Sequence, residues 1–315
     1  MKKNKKTIGI ASYTLRVQKK AENKYVNLGD LSEYSTTTKD FFIDFFNSIG
    51  AAHLINKAHN TVLKAEKINN NGYVIKGIIH FGDYGYSAQG FNVVENEISY
   101  LRTYNDSELT PHYFLVYLPS DRSTGIILLQ RFGVKSIFTT LKQKFTSEFS
   151  SKFPNYNLAL YPQVPSEVFN SLREGSLKSI KIVRYVAPDD IAETIKKLGF
   201  EEQEGVLSIE FKAKRKGTLL KPAWMNSENF TNNNSFCEMD LRNISLEGEI
   251  QIFVDYLGKR RKICLDNPRK ISPYIDATDE VDITSSGHPS FDSIDRYCEN
   301  LLDLLLKEMG SQRHV

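Results

Sequence analysis

Strand-length apolar runs, cut by turn residues, recur along most of this chain, and only a few segments carry helical spacing. That pattern restricts the fold to sheets with a small helical complement. The segment Thr7–Val17 reads as a first strand. Thr61–Ile68 and Tyr73–Gly82 read as two more, joined as a hairpin by Asn69-Asn70-Asn71-Gly72. Glu97–Thr103, His112–Leu118, Gly125–Arg131, Asn157–Tyr161 and Leu177–Val186 follow, with Gly82–Ser87 as loop. Helical spacing predicts Thr38–Ile49 with Gly50 as its stop, Val134–Phe149, and the short helices Ser166–Arg173 and Asp189–Leu198. A last helix starts from Ser290 as N-cap, with Ile294, Tyr297, Leu301, Leu304 and Leu305 on one face. Its Leu301–Leu306 surface either packs on its own domain, as most such helices do, or forms a dimer seam. The expected class is α+β, with mixed, largely antiparallel sheets, a few helices and two domains. The expected bounds are 1–200 for an N-terminal α+β domain and 201–315 for a strand-rich domain with the closing helix.

The length of 315 residues permits two domains. A net charge of +3 conceals segregation. Lys2, Lys3, Lys5 and Lys6 and the stretch from Lys212 to Lys270 are basic, whereas Asp276, Asp279, Glu280, Asp282, Asp292, Asp295 and Glu299 make the end of the chain acidic. No apolar run reaches the roughly 20 residues needed to span a bilayer, and the N-terminus lacks the apolar core of a secretory signal. A cytoplasmic protein without direct membrane insertion is expected. Cys237, Cys264 and Cys298 are too widely spaced for a metal clip and odd in number, so they read as core or surface thiols.

Two basic clusters carry the functional reading. Lys212-Ala213-Lys214-Arg215-Lys216 follows the run Leu207–Phe211, and Lys259-Arg260-Arg261-Lys262 lies between the runs Ile250–Val254 and Ile263–Leu265. Packed like charges repel, so a fold that keeps them usually meets a polyanion. Lys212, Lys214, Arg215, Lys216, Lys259, Arg260, Arg261 and Lys262 are the candidate DNA contacts, with Arg269 and Lys270 secondary. Arginine forks match phosphate oxygens better than ammonium groups do. The competing reading is a solvated hairpin tip and a charged edge strand protected against aggregation. Phe211, Phe253 and Tyr256 could stack on bases, although strand spacing favours the core.

Catalytic signatures are weaker. Pro188-Asp189 and Glu210-Phe211-Lys212 spell a loose PD-ExK pattern, in which Asp189 and Glu210 would hold Mg²⁺ and Lys212 would orient water. Asp189 also sits where it would cap the following helix. The six histidines lack HExxH or HxH spacing, and no GxGxxG, GxxxxGK[ST] or GxSxG run occurs. No catalytic residue, metal ligand or cofactor is therefore assigned on the leading reading.

The run Glu108–Val116, then Thr124-Gly125-Ile126, then Arg131-Phe132-Gly133 ahead of a helix, resembles the RexA-like phage-exclusion proteins. Leu177–Ile182, Lys197-Leu198-Gly199, Ile209–Lys214 and the acidic segment closing on a helix with Tyr297-Cys298 have similar counterparts. The resemblance covers about two-thirds of the chain as pattern, from residue 108 to the C-terminus. It implies an anti-phage (abortive infection) DNA-binding protein that grips duplex DNA with little sequence preference. It also implies self-association as a homodimer and a membrane-protein partner of the same defence system. Three alternatives remain: the Mg²⁺ nuclease, a protein-interaction module using the Leu301–Leu306 face, and an RNA binder, since phosphate attraction is shared.

Overall fold

The computed structural model describes residues 6–22, 24–133, 135–163, 174–184, 207–214, 217–220, 248–256, 259–266 and 274–310. The fold is α+β, with largely antiparallel strands and three helices among the described residues. The predicted helices 166–173 and 189–198 lie outside them.

The organising strand is β1 (Ile8–Lys19), because it has neighbours along its whole length on both edges. One edge pairs with β9 (Gly125–Phe132) and then with β2 (Lys24–Val26). The other pairs with β16 (Tyr274–Asp276) and then with β11 (Tyr156–Gln163). From β9 the sheet continues through β8 (Thr110–Tyr117), β5 (Val74–Asp83), β4 (Thr61–Asn71) and β3 (Leu54–Asn56). From β16 it continues through β15 (Lys259–Asp266), β14 (Gly248–Tyr256), β12 (Ser176–Arg184) and β13 (Leu207–Lys212). The expected β4–β5 hairpin forms, with Gly72 at φ 52° in its turn.

Both faces of the central sheet are covered. Along β1, Tyr13, Leu15 and Val17 enter one core while Ile8 and Ile10 enter the other, as period-two pleating requires. The first core receives α1 (Thr38–Ala51) and α2 (Phe138–Lys152). Phenylalanines interlock there: Phe46 stacks on Phe114 at 4.2 Å, and Phe42 meets Phe145 edge-on at 4.8 Å. Thr37 and Asp40 form a reciprocal capping box at the start of α1. The helix continues through Gly50, contrary to the expected stop, and ends at an extended Ala52. Helix α2 starts later than the sequence predicts, because β10 (Lys135–Ser136) first pairs with β9.

The second core receives α3 (Phe291–Glu308), capped by Ser290 as expected. Ile294, Cys298, Leu301, Leu302, Leu305 and Leu306 are buried against β8 and β9, so this helix packs on its own chain. That burial removes the Leu301–Leu306 face as a partner surface. Lys76 on β5 clamps the helix by ion pairs of 2.9 Å to Asp295 and 2.8 Å to Glu299. The Tyr113 hydroxyl donates to Asp295 Oδ1 at 2.6 Å. Two acids of the C-terminal acidic segment are thus spent inside the fold.

The division expected at residue 200 falls between β12 and β13, which are hydrogen-bonded neighbours. No helix among the described residues is long and apolar enough to cross a membrane. Cys298 is a buried free thiol, and burial pushes its pKa up.

Candidate nucleic-acid interface

The candidate surface is built on β12–β15. Strand β13 alternates Leu207, Ile209 and Phe211 with Ser208, Glu210 and Lys212, the two-residue period of a sheet with unlike faces. Residues directly opposite in antiparallel strands share a face. The pairings Lys212–Ser179, Ser179–Phe253 and Phe253–Lys262 therefore form one row across all four strands. Glu210, Lys181, Gln251 and Cys264 make the next row on that face. Ser176, Asp255 and Arg260 occupy the row at the hairpin end. Three strand spacings separate Lys212 from Lys262, or about 14 Å at ~4.8 Å each.

This register brings parts of both predicted clusters to one end of one face. It also divides the second cluster. Lys262 and Arg260 share the register of Lys212, whereas Arg261 pairs with Val254 and Lys259 with Tyr256 on the opposite, apolar register. Four consecutive cations on a strand cannot form one patch, since the pleat sends alternate residues to opposite sides. Acids lie on the same face: Glu210 beside Lys181, Asp255 beside Arg260, and Glu249 beside Asp266 at the far end. Charge is thus graded along the strands, basic toward the hairpin end and acidic away from it.

Lys212 and Lys214 are exposed. Beyond β13 the chain turns over the end of β12: Ala213 N–H donates to Lys178 O at 2.8 Å, and Gly217 N–H to Lys214 O at 2.7 Å. Lys178 sits at the bulge between Leu177 and Ser179. Its ammonium donates to Gly217 O at 3.1 Å and lies 3.6 Å from Asp255. Sequence reasoning missed Lys178 and Lys181, because neither belongs to a run. Their signal is only their spacing on β12, at the row next to Lys212. Arg215, Lys216, Arg269 and Lys270 lie outside the described residues.

Glu210 and Lys212 share one face of β13, as the ExK half of the nuclease pattern needs, while Asp189 lies outside the described residues. Among the described residues no group of three or more His, Cys, Asp or Glu side chains could hold a metal ion. The most perturbed histidine, His112, is wholly buried. Burial lowers its pKa to about 4, against the opposing effect of the Thr110 carbonyl 2.9 Å from Nδ1.

Of Phe211 and Phe253, the first is 70% exposed and lies on the register opposite Lys212. Phe253 shares the Lys212 row and is half-buried.

Proposed function

We propose that this chain, which matches no family model and no curated sequence among known proteins, binds double-stranded DNA through the phosphate backbone, using the polar face of β12–β15. One observation carries the reading: Lys212 and Lys262, from clusters fifty residues apart, share one register row with Arg260 beside it. The ~14 Å span is comparable with the ~12 Å width of the major groove, so cations at its two ends can meet phosphates of different strands. On this reading the contacts fall on the phosphate backbone, which carries no sequence information directly, so binding tolerates sequence. The RexA-like resemblance supplies the wider setting: a cytoplasmic, homodimeric phage-exclusion protein acting with a membrane-protein partner.

The test is a salt titration of duplex-DNA binding, with and without Mg²⁺. Lys212→Glu combined with Lys262→Glu should weaken binding to every sequence alike and lower the log–log salt slope by about two. Arg261→Glu, on the opposite register, should leave both nearly unchanged. Equal effects from the two variants, or none from the first, would dispose of the proposal. The shared face of Glu210 and Lys212 keeps a Mg²⁺ nuclease as the second reading. It requires cleavage that Glu210→Ala abolishes while binding persists. Duplex RNA competing as well as DNA would move the assignment to RNA.

A further inference from the structure

One face of β1 changes character along its length. Ile8 and Ile10 enter the α3 core, but beyond them the same register carries Ser12, Thr14, Arg16 and Gln18. Ser12 and Thr14 are buried and satisfied locally, each hydroxyl donating to a β11 carbonyl, of Gln163 and of Tyr161. Arg16 differs. Its Nε is buried without an acceptor, and its guanidinium makes no hydrogen bond or ion pair among the described residues. Glu22 and Glu33 are held instead by Lys19, at 2.8 Å and 3.3 Å, from the opposite register of β1.

The unpaired guanidinium is nevertheless held in place. It lies 5.1 Å over the ring of Tyr25, which stands opposite Gln18 on the same face. Its partner on β11 is Ala159, a side chain too short to shield it. Tyr161, opposite Thr14, is 48% exposed, and its hydroxyl lies 3.1 Å from that of Tyr25. One proton bridges the two phenols, which leaves the second O–H as a spare donor. The hydrogen bond with Tyr25 and then burial raise the Tyr161 pKa against the Arg16 charge, so that hydroxyl stays protonated at neutral pH.

We infer that Arg16, Tyr25 and Tyr161 form a binding site for a small phosphoryl anion, either inorganic phosphate or a phosphomonoester. A guanidinium fixed by its neighbours presents a planar fork to two oxygens without first being ordered. The spare phenol donates to a third oxygen, one more than a carboxylate has. The bound anion supplies the counter-charge that the fold withholds from Arg16. This site is separate from the DNA face. Ala11 pairs with Tyr274 and Tyr274 with Cys264, so the odd-numbered residues of β1 share the face of Lys262, and Arg16 stands on the reverse. The inference therefore does not depend on duplex binding.

The test is calorimetric titration of the full chain, at fixed ionic strength, with inorganic phosphate, AMP, adenosine and acetate. Phosphate and AMP should bind saturably, and adenosine and acetate should not. Equal affinity for the first two identifies the phosphoryl group alone as the ligand; tighter AMP identifies a nucleotide whose base rests on the exposed Tyr161 ring. Arg16→Gln should weaken both about tenfold or more, as loss of a charge-assisted contact does, at an unchanged melting temperature. Its affinity for duplex DNA should match the wild type, so failure of one reading leaves the other standing. If Arg16→Gln unfolds, Tyr25→Phe with Tyr161→Phe decides, and undiminished phosphate affinity there overturns the site. So does a folded wild type without saturable phosphate binding, acetate or adenosine binding as well as phosphate, or a folded Arg16→Gln that binds like the wild type.

Discussion

The central sheet and the β12–β15 extension use the same strand geometry to opposite ends. Strand β8 is apolar on both faces, sending Phe114 and Val116 to the α1–α2 core and Tyr113, Leu115 and Tyr117 to the α3 core. Strand β13 alternates, with exposed Ile209 and Phe211 on one register and Glu210 and Lys212 on the other. Cations differ in the same way. Lys76 is committed to Asp295 and Glu299, and the Arg131 guanidinium lies 4.7 Å over Tyr274. Lys212 and Lys214 face solvent. Lys76 fastens a helix to the body, whereas Lys212 and Lys214 of the extension lie at its surface and Lys178 is tied to Gly217 and Asp255.

The contrast breaks first, if at all, in the phenylalanine core. Phe46→Ala should cost about 3–5 kcal/mol in urea denaturation, because the ring is fully buried between Phe42, Phe45, Phe114 and Phe145. A loss below ~1 kcal/mol would mean that the body is packed no better than the extension.

His112 gives the next largest effect, and only in acid. Its folded pKa lies at about 4 against an ordinary 6.5, chiefly through burial. The unfolded chain therefore binds a proton first as pH falls, and stability drops between pH 6.5 and about 4. The limit is about 3 kcal/mol, from ~1.4 kcal/mol per pH unit. The Lys135 charge and the His288 ring lower the pKa further, while backbone hydrogen bonds at Thr110 and Lys135 oppose the shift. His112→Gln should flatten that part of the stability–pH curve; an unaltered slope would place the titration elsewhere.

Several elements were legible in the sequence because local rules decide them. The closing helix is one, with its Ser290 cap and apolar stripe, and the Asn-Gly hairpin is another. Gly50 misled because the apolar face of α1 outweighs the propensity cost of one glycine. Strand β6 (Ala88–Asn92) was missed, since it holds one large apolar residue and pairs only with β7 (Glu97–Arg102). In the candidate site, cluster composition was visible but facing was not. Whether Arg261 or Lys262 shares a face with Lys212 depends on the β14–β15 register, which couples residues through partners rather than along the chain.

Lys76→Met should cost about 2 kcal/mol, less than a fully buried pair because both carboxylates retain some water contact. Burial alone would lower the Lys76 pKa, yet hydrogen bonds to Glu299 and Asp295 raise it above 10.5. Its contribution is therefore fully present below pH 10.5 and fades only as pH rises through the higher folded value. Chemical denaturation at neutral and alkaline pH should show the wild type converging on the variant only in the alkaline series.

The smallest effect sharpens the division of faces. Phe211→Ser should change stability by no more than ~0.5 kcal/mol, since the ring is mostly exposed at the outer strand. It should also leave DNA affinity unchanged, because Phe211 pairs with Ile180 on the register opposite the Lys212 row. Stacking on a base would instead cost about 1–3 kcal/mol of binding on its removal. A loss of that size, at unchanged stability, would shift the nucleic acid to the apolar side of β13. Arg261 and Lys259, rather than Arg260 and Lys262, would then share the register of the contacts.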